Sequence, residues 1–92
     1  MEKKRLNLII EGRVQGVWFR DSTRRQAVSA GVFGWVKNRA DGKVETLLEG
    51  DADAVHRVAK WCRQGPPGAN VTGVHEREEP WTGKFCSFDI IF

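Results

Sequence analysis

Alternating apolar and polar residues predict five β-strands along the chain. In the first strand Leu6, Leu8 and Ile10 share one face, and Ile9 makes the other face partly apolar, which is typical of a central strand. The Asp41-Gly42 pair between the second and third strands predicts a tight hairpin. The predicted strands are 5–11, 33–38, 43–49, 71–78 and 84–92.

Two stretches between the strands instead repeat apolar residues at the spacing of an amphipathic helix. The first helix is predicted to end at Gly31, a residue type that suits a helix C-terminus. The second is predicted to be capped by Asp51 or Asp53 and to end at Gly65-Pro66-Pro67-Gly68. The expected buried stripes are Phe19, Thr23, Ala27 and Ala30 in the first helix and Val55, Val58, Ala59 and Cys62 in the second.

The element order βαββαβ predicts an α+β fold, with an open antiparallel sheet and both helices on one of its faces. Since a helix joins the first strand to the second, these two strands should run in the same direction. The third strand follows the second through a hairpin and can lie between them. The C-terminal ends of the first two strands then open on the same rim of the sheet, which is expected to bring Arg20 and Asn38 together.

The stretch from Gly12 to Arg20 connects the first strand to the first helix and indicates an anion site. Gly12 and Gly16 permit a tightly curled backbone, because a residue without Cβ adopts positive φ at little cost. Such a loop turns several N–H groups toward a phosphate at a helix start, and the guanidinium of Arg20 matches phosphate oxygens. The alternative is a structural turn with a surface arginine, because the Gly-Lys-Ser/Thr ending of a nucleotide P-loop is absent.

Length and charge exclude several classes of protein. The 92 residues suffice for one core, and we expect a single domain over residues 1–92. A net charge of +3 and a pI of about 9.2 suit an anionic ligand without demanding nucleic acid. Because no apolar run approaches the length of a membrane span or a signal-peptide core, we expect a cytoplasmic protein that binds no membrane. We also expect it to be a monomer.

The two cysteines fall on apolar faces of their predicted elements. Cys62 belongs to the stripe of the second helix, and Cys86 shares a face of the fifth strand with Phe88, Ile90 and Phe92. Both are expected to be buried, reduced thiols, and a disulfide between them is the alternative. No set of four ligands has the spacing of a zinc site, so no metal is expected.

The available residue types narrow the chemistry of the anion site. His56 and His75 are not expected near the glycine loop, so a phosphohistidine intermediate is not expected. Neither cysteine is followed by an arginine six positions later, so a cysteinyl-phosphate intermediate is not expected either. Asp51-Ala52-Asp53 resembles the Asp-x-Asp pattern of aspartyl-phosphate phosphatases, but both carboxylates suit a helix cap and the chain is too short for that family's sheet.

One arginine, a backbone nest and one neutral amide remain, and they suffice only for a reactive phosphate. An acyl phosphate qualifies, because its carboxylate leaving group needs no proton from a general acid. Catalysis then requires charge neutralisation, which Arg20 can supply, and a water in line with the leaving oxygen, which Asn38 can place.

Two stretches resemble the signatures of the acylphosphatase family. Residues 12–20 match the pattern Gly-x-Val-Gln-Gly-Val-x-Phe-Arg, and residues 34–45 are similar to the second signature. The similarity continues through Glu49-Gly50, Trp61, Gly65-Pro66-Pro67 and the final strand, and so covers nearly the whole chain. It implies a ferredoxin-like α/β sandwich that hydrolyses a small acyl phosphate to a carboxylate and inorganic phosphate, without metal or cofactor.

The resemblance also implies roles for individual residues. Arg20 corresponds to the arginine that binds phosphate, and Asn38 to the asparagine that orients the attacking water. Trp18 occupies a variable position, where it could alter the rim of the acyl pocket, and Cys62 stands where an aliphatic residue is usual. The expected phosphate-binding residues are Arg13, Val14, Gln15, Gly16, Val17, Trp18, Phe19 and Arg20.

Several alternatives stay open. Asparagine often starts a hairpin by hydrogen-bonding to its own backbone, so Asn38 is alternatively only a turn residue. Gln15 either rigidifies the loop or faces solvent. Gly34 is expected to permit a close approach of a neighbouring backbone. RNA-recognition motifs share the βαββαβ order, but the third strand offers no aromatic residue for base stacking, so no nucleic-acid partner is expected. The second rival is a catalytically idle domain of the kind found inside larger maturation proteins.

Overall fold

The computed structural model describes residues 2–92 and contains two helices and a five-stranded sheet. In chain order the elements are β1 (Lys3–Arg13), α1 (Phe19–Ala30), β2 (Phe33–Asn38), β3 (Val44–Asp51), α2 (Ala52–Gln64), β4 (Asn70–Glu79) and β5 (Phe88–Ile90). They form the expected ferredoxin-like α+β sandwich. Within residues 2–92 no helix is long and apolar enough to cross a membrane.

The strand order across the sheet is β4-β1-β3-β2-β5. β3 lies between β1 and β2 and is antiparallel to both, so β1 and β2 run in the same direction, as predicted. The expectation of an antiparallel sheet is wrong for one pair, because β5 is parallel to β2 and the sheet is mixed. The 80–87 connection joins β4 to β5 and reverses the chain. Since β2 also runs opposite to β4, β5 must run parallel to β2.

The core lies between one face of the sheet and the two helices. The alternating residues Leu6, Leu8 and Ile10 of β1 are at most 2% exposed. The stripe predicted for α2 is buried at all four positions, and that of α1 at three, with Ala30 partly buried against the core. Because burial of each large aliphatic side chain stabilises the fold by about 1.5–3 kcal/mol, these stripes fix which face of each helix meets the sheet. Cys62 is buried, as expected.

The fifth strand is much shorter than predicted. Only residues 88–90 pair with β2, and Cys86, expected to be buried, is exposed. Residues 80–87 instead cross the sheet as a connection that the carboxylate of Glu49 anchors. Glu49 accepts hydrogen bonds from the amide and hydroxyl of Thr82 at 2.9 and 2.8 Å and from the amide of Gly83 at 3.1 Å. The alternation of apolar residues in 84–92 therefore overstated the length of the strand.

The helix starts differ from the expected caps. Asp51 occupies the N-cap position of α2, but its carboxylate accepts a hydrogen bond from Lys3 Nζ at 2.5 Å and caps no backbone N–H of the helix. Trp18, at the N-cap position of α1, has left-handed dihedrals with φ 66° and ψ 24°, and its side chain makes no cap hydrogen bond. The start of α1 is thus shaped by the loop that precedes it.

Candidate active site

The loop before α1 contains one of the two glycines assigned to it. Gly12 lies within β1, at a register shift beside Glu11, where φ is 120° and a Cβ would overlap the carbonyl oxygen of Asn70. Gly16 lies in the loop itself, with φ 74° and open space where a Cβ would be. The loop therefore turns at Gly16 and Trp18, while Gly12 forms a bulge in the pairing of β1 with β4, which continues to Arg13.

The backbone amides of this loop are available to a ligand. Among the residues that the structure describes, none of the amides from Gln15 to Phe19 donates a hydrogen bond to a protein acceptor. The first amides of a helix also lack intrahelical acceptors, and the positive end of the helix dipole favours an anion there. The turn and the start of α1 thus form a nest of donors suited to a phosphate.

Three side chains of the loop are buried in the core. Val14, Val17 and Phe19 are at most 9% exposed and belong to the hydrophobic core. Arg13 is exposed at the end of β1 and does not line the cleft described below. The loop can therefore contact an anion through its backbone, with its shape fixed by apolar anchors on either side of Gly16.

Arg20, in the first turn of α1, is half-buried. Its guanidinium forms no ion pair with any carboxylate of residues 2–92, and the carbon at its centre lies 5.8 Å from the centroid of the Phe92 ring. Asp21 also lines the cleft, but its carboxylate pairs with Arg25 at 3.2 Å. Arg20 is thus the uncompensated charge of the cleft, and its five N–H donors suit a phosphate.

Asn38 ends β2, and its side chain lies on the helix side of the sheet, as does that of the buried Val36 two residues earlier. Its Oδ1 atom is buried and accepts no hydrogen bond from any residue between 2 and 92. A buried polar atom without a partner costs about 1–3 kcal/mol. Since Oδ1 is closed to solvent in this conformation, a water can donate to it only after the side chain turns toward the cleft.

Arg20 and Asn38 line the same cleft, of about 540 Å³, at the rim where β1 and β2 end. The connection order of the strands therefore predicted correctly that these two residues lie together. The cleft also contains three residues that were not expected in the site, namely Asp21 of α1 and, from the end of the chain, Ile90 and Phe92. Ile90 and Phe92 occupy alternate positions of the predicted fifth strand, but only the pairing of β5 with β2 shows that they reach the cleft. The lining residues are Val14, Gly16, Trp18, Phe19, Arg20, Asp21, Asn38, Ile90 and Phe92.

Gln15 connects the two halves of the site. Its Nε2 donates hydrogen bonds to the carbonyl oxygens of Arg39 at 2.8 Å and Lys43 at 2.9 Å, which flank the β2–β3 turn. Of the two alternatives for Gln15, the structure therefore supports the rigidifying one. Because Asn38 immediately precedes this turn, the bonds fix the distance between the 13–19 loop and the Asn38 amide.

The β2–β3 turn has its own polar bracing. Asp41 accepts a hydrogen bond from the Lys43 amide at 3.1 Å and pairs with Arg39, whose guanidinium holds the pKa of the Asp41 carboxyl below its usual value. Gly34, at the other end of β2, has φ 138°, and a Cβ there would overlap the carbonyl oxygen of Leu47. This is the close backbone approach expected of Gly34, and it keeps β2 tight against β3.

Comparison with known proteins gives a consistent result. The family model "Acylphosphatase" matches residues 6–90. A protein named "Acylphosphatase" from Pelotomaculum thermopropionicum is 46% identical over 92 residues, covering 100% of both chains.

Solved structures agree with the sequence comparison. The crystal structure of acylphosphatase from Bacillus subtilis superposes with a TM-score of 0.93 at 35% identity, covering 97% of this chain and 99% of that one. The structure of an acylphosphatase from Coxiella burnetii gives 0.91 at 32% identity, covering 97% and 93%.

Proposed function

The chain belongs to the acylphosphatase family, and we propose that it hydrolyses the carboxyl–phosphate bond with Arg20 and the 13–19 loop holding the phosphate and Asn38 placing the attacking water. The observation that carries this proposal is that Asn38 lines the same cleft as the unpaired guanidinium of Arg20, beside the free amides of residues 15–19. A donor site for an anion and an acceptor site for a water are the two elements that the reaction needs.

Phosphate binding is the first step of the proposed mechanism. The free amides of residues 15–19 and the start of α1 donate to the non-bridging oxygens, and Arg20 adds charge-assisted hydrogen bonds. The phosphoryl group becomes more electrophilic as its negative charge is neutralised. Because the donors are fixed by the core side chains of the loop, they need no rearrangement as charge develops in the transition state.

Water placement is the second step. With its side chain turned toward the cleft, Asn38 accepts one hydrogen from a water through Oδ1, and the lone pairs of that water are then directed at the face of the phosphorus opposite the leaving oxygen. The water oxygen bonds to phosphorus as the bond from phosphorus to the carboxyl oxygen breaks. The products are a carboxylate and inorganic phosphate, and the proton of the water leaves with the phosphate or to solvent.

No side chain of the cleft acts as a general acid in this mechanism. A carboxylate is a good leaving group at neutral pH, so protonation of the leaving oxygen contributes little. We propose that the reaction proceeds without metal or cofactor, in a single domain spanning residues 1–92 that acts as a monomer. Turnover of benzoyl phosphate unchanged by EDTA, and gel filtration at the mass of one chain, would support this part of the proposal.

Variants of Arg20 and Asn38 test the assigned roles. Arg20→Ala should weaken inhibition by inorganic phosphate and lower kcat/KM at least about 100-fold, the usual effect of losing one transition-state donor. Arg57→Ala is the matched control, because Arg57 is an exposed arginine of α2 that does not line the cleft. Normal turnover in a folded Arg20→Ala protein would overturn the assignment.

The second variant separates water placement from phosphate binding. Asn38→Ala should lower kcat by about 100-fold while the inhibition constant for phosphate changes little, because Oδ1 contacts the water rather than the phosphate. Asn70→Ala, at an exposed site on β4, is the control. Equal losses in kcat and phosphate affinity would show that Asn38 binds the substrate rather than the water.

A further inference from the structure

Trp18 occupies a position for which folding offers no reason to select tryptophan. Its side chain is 80% exposed, and its backbone has φ 66°, a region that bulky residues rarely adopt. It makes no cap hydrogen bond for α1. The left-handed backbone costs free energy of folding, and an indole that stays exposed contributes little burial to offset that cost, whereas a glycine such as Gly16 adopts the same backbone without steric strain.

The surroundings of Trp18 suggest what its indole contacts. Trp18 lines the same cleft as Arg20, together with the apolar side chains of Ile90 and Phe92. The Phe92 ring lies over the Arg20 guanidinium at 5.8 Å, so apolar surface continues directly from the group that holds phosphate. An acyl phosphate has a matching arrangement, because its acyl carbon is joined to phosphorus through one bridging oxygen.

We propose that Trp18 is a specificity-determining residue, whose indole forms one wall of an acyl subsite with Ile90 and Phe92 and favours substrates with planar, apolar acyl groups. This inference rests on the proposed function, since it requires phosphate to be bound at Arg20 and the loop. A planar ring stacks on the indole face with little loss of side-chain freedom, whereas a methyl group covers only a small part of that face. The subsite thus distinguishes a benzoyl group from an acetyl group.

The test compares benzoyl phosphate with acetyl phosphate in wild type and in Trp18→Asn. Asparagine tolerates positive φ better than most residues, so the substitution removes the indole while keeping the backbone. We expect the ratio of kcat/KM for benzoyl phosphate to kcat/KM for acetyl phosphate to fall about three- to tenfold. Trp18→Phe should restore most of the preference. Trp81→Asn, at another partly exposed tryptophan outside the cleft, should leave both substrates unchanged.

Binding of inert analogues gives a readout that does not depend on turnover. Phenylphosphonate should inhibit wild type more strongly than methylphosphonate, and Trp18→Asn should lose that difference. The urea midpoint of Trp18→Asn should equal or exceed that of wild type, because the left-handed site no longer holds an indole.

Three results would overturn the inference: equal losses for both substrates, an unchanged phosphonate ratio, or a lowered urea midpoint. Each of these would assign Trp18 to the shape of the loop instead of an acyl subsite. Failure of the proposed function is distinguishable, since wild type would then hydrolyse neither acyl phosphate.

Discussion

A substitution of Gln15 tests most directly whether its hydrogen bonds hold the 13–19 loop and the β2–β3 turn together as one site. Its amide donates to the carbonyl oxygens of Arg39 and Lys43, and no apolar side chain can replace those bonds. Gln15→Met keeps the length and flexibility of the side chain and removes only its polar end. Gln26→Met makes the same chemical change at an exposed position of α1 and is the control.

The expected loss of stability follows from the two hydrogen bonds. Each contributes about 0.5–1.5 kcal/mol to the free energy of unfolding, so Gln15→Met should lower it by about 1–3 kcal/mol. A loss of about 2 kcal/mol lowers Tm by about 8–16 °C in a domain of this size. The two carbonyl oxygens keep backbone partners, since Lys43 O accepts from the Arg39 amide at 2.8 Å and Arg39 O from the Gly42 amide at 3.2 Å, so the turn itself should survive.

The same change should reduce catalysis through geometry. Asn38 would no longer be held at a fixed distance from the loop, and a displacement of about 1 Å can cost up to about 100-fold in rate. We expect kcat for benzoyl phosphate to fall at least about tenfold at a temperature where the variant is fully folded. Urea unfolding followed by tryptophan fluorescence and phosphate release would measure the two effects. If Gln15→Met matched Gln26→Met in both, the bridging role would be wrong.

Two further predictions concern titratable groups outside the cleft. Burial alone would raise the pKa of Glu49, but hydrogen bonds from Thr82, Arg5 and Gly83 outweigh it and the pKa lies below its usual value. A carboxyl with a lowered folded pKa stabilises the protein above its unfolded pKa of about 4.3, and this contribution is lost as the pH falls through the folded pKa. The urea midpoint of wild type should therefore fall more steeply in acid than that of Glu49→Gln, and parallel pH profiles would contradict this. Burial raises the pKa of the Cys62 thiol to about 12, whereas Cys86 is exposed. In the native protein at pH 8, only Cys86 should react with an aromatic disulfide reagent, whereas both cysteines should react in urea. Fast reaction of both thiols in the native protein would contradict the burial of Cys62.

Local sequence patterns predicted the site residues that lie at the start or end of a helix or strand. Arg20 follows a turn at a helix start and Asn38 precedes a hairpin, so the connection order alone placed both on one rim. The role of Gln15 could not be decided in this way. Its acceptors are 24 and 28 residues away, and the register of β1 against β3 that brings them close is a property of the whole sheet.

The fifth strand was overpredicted for a physical reason. Apolar alternation in 84–92 indicates a chain that could pair along its length, but the partner β2 offers only residues 34–36 to it. The chain before β5 lies away from β2, because Thr82 and Gly83 donate hydrogen bonds to the buried carboxylate of Glu49 in β3. The periodicity of apolar side chains predicts which face of a segment is buried. The length of the strand depends on how many residues of the neighbouring strand are available for backbone hydrogen bonds.

The pairing of β5 with β2 also sets when the site can form during synthesis of the chain. The cleft joins residues from Val14 to Phe92. β5 docks through Arg24, whose Nε donates to the Phe88 carbonyl at 3.0 Å, and the following Ile91 amide donates to Val36 O at 2.9 Å. The 13–19 loop, α1 and the β2–β3 hairpin all emerge from the ribosome earlier. The cleft is closed on that side only when the last strand docks. A nascent chain arrested before residue 88 would thus carry both signatures and still lack an assembled cleft.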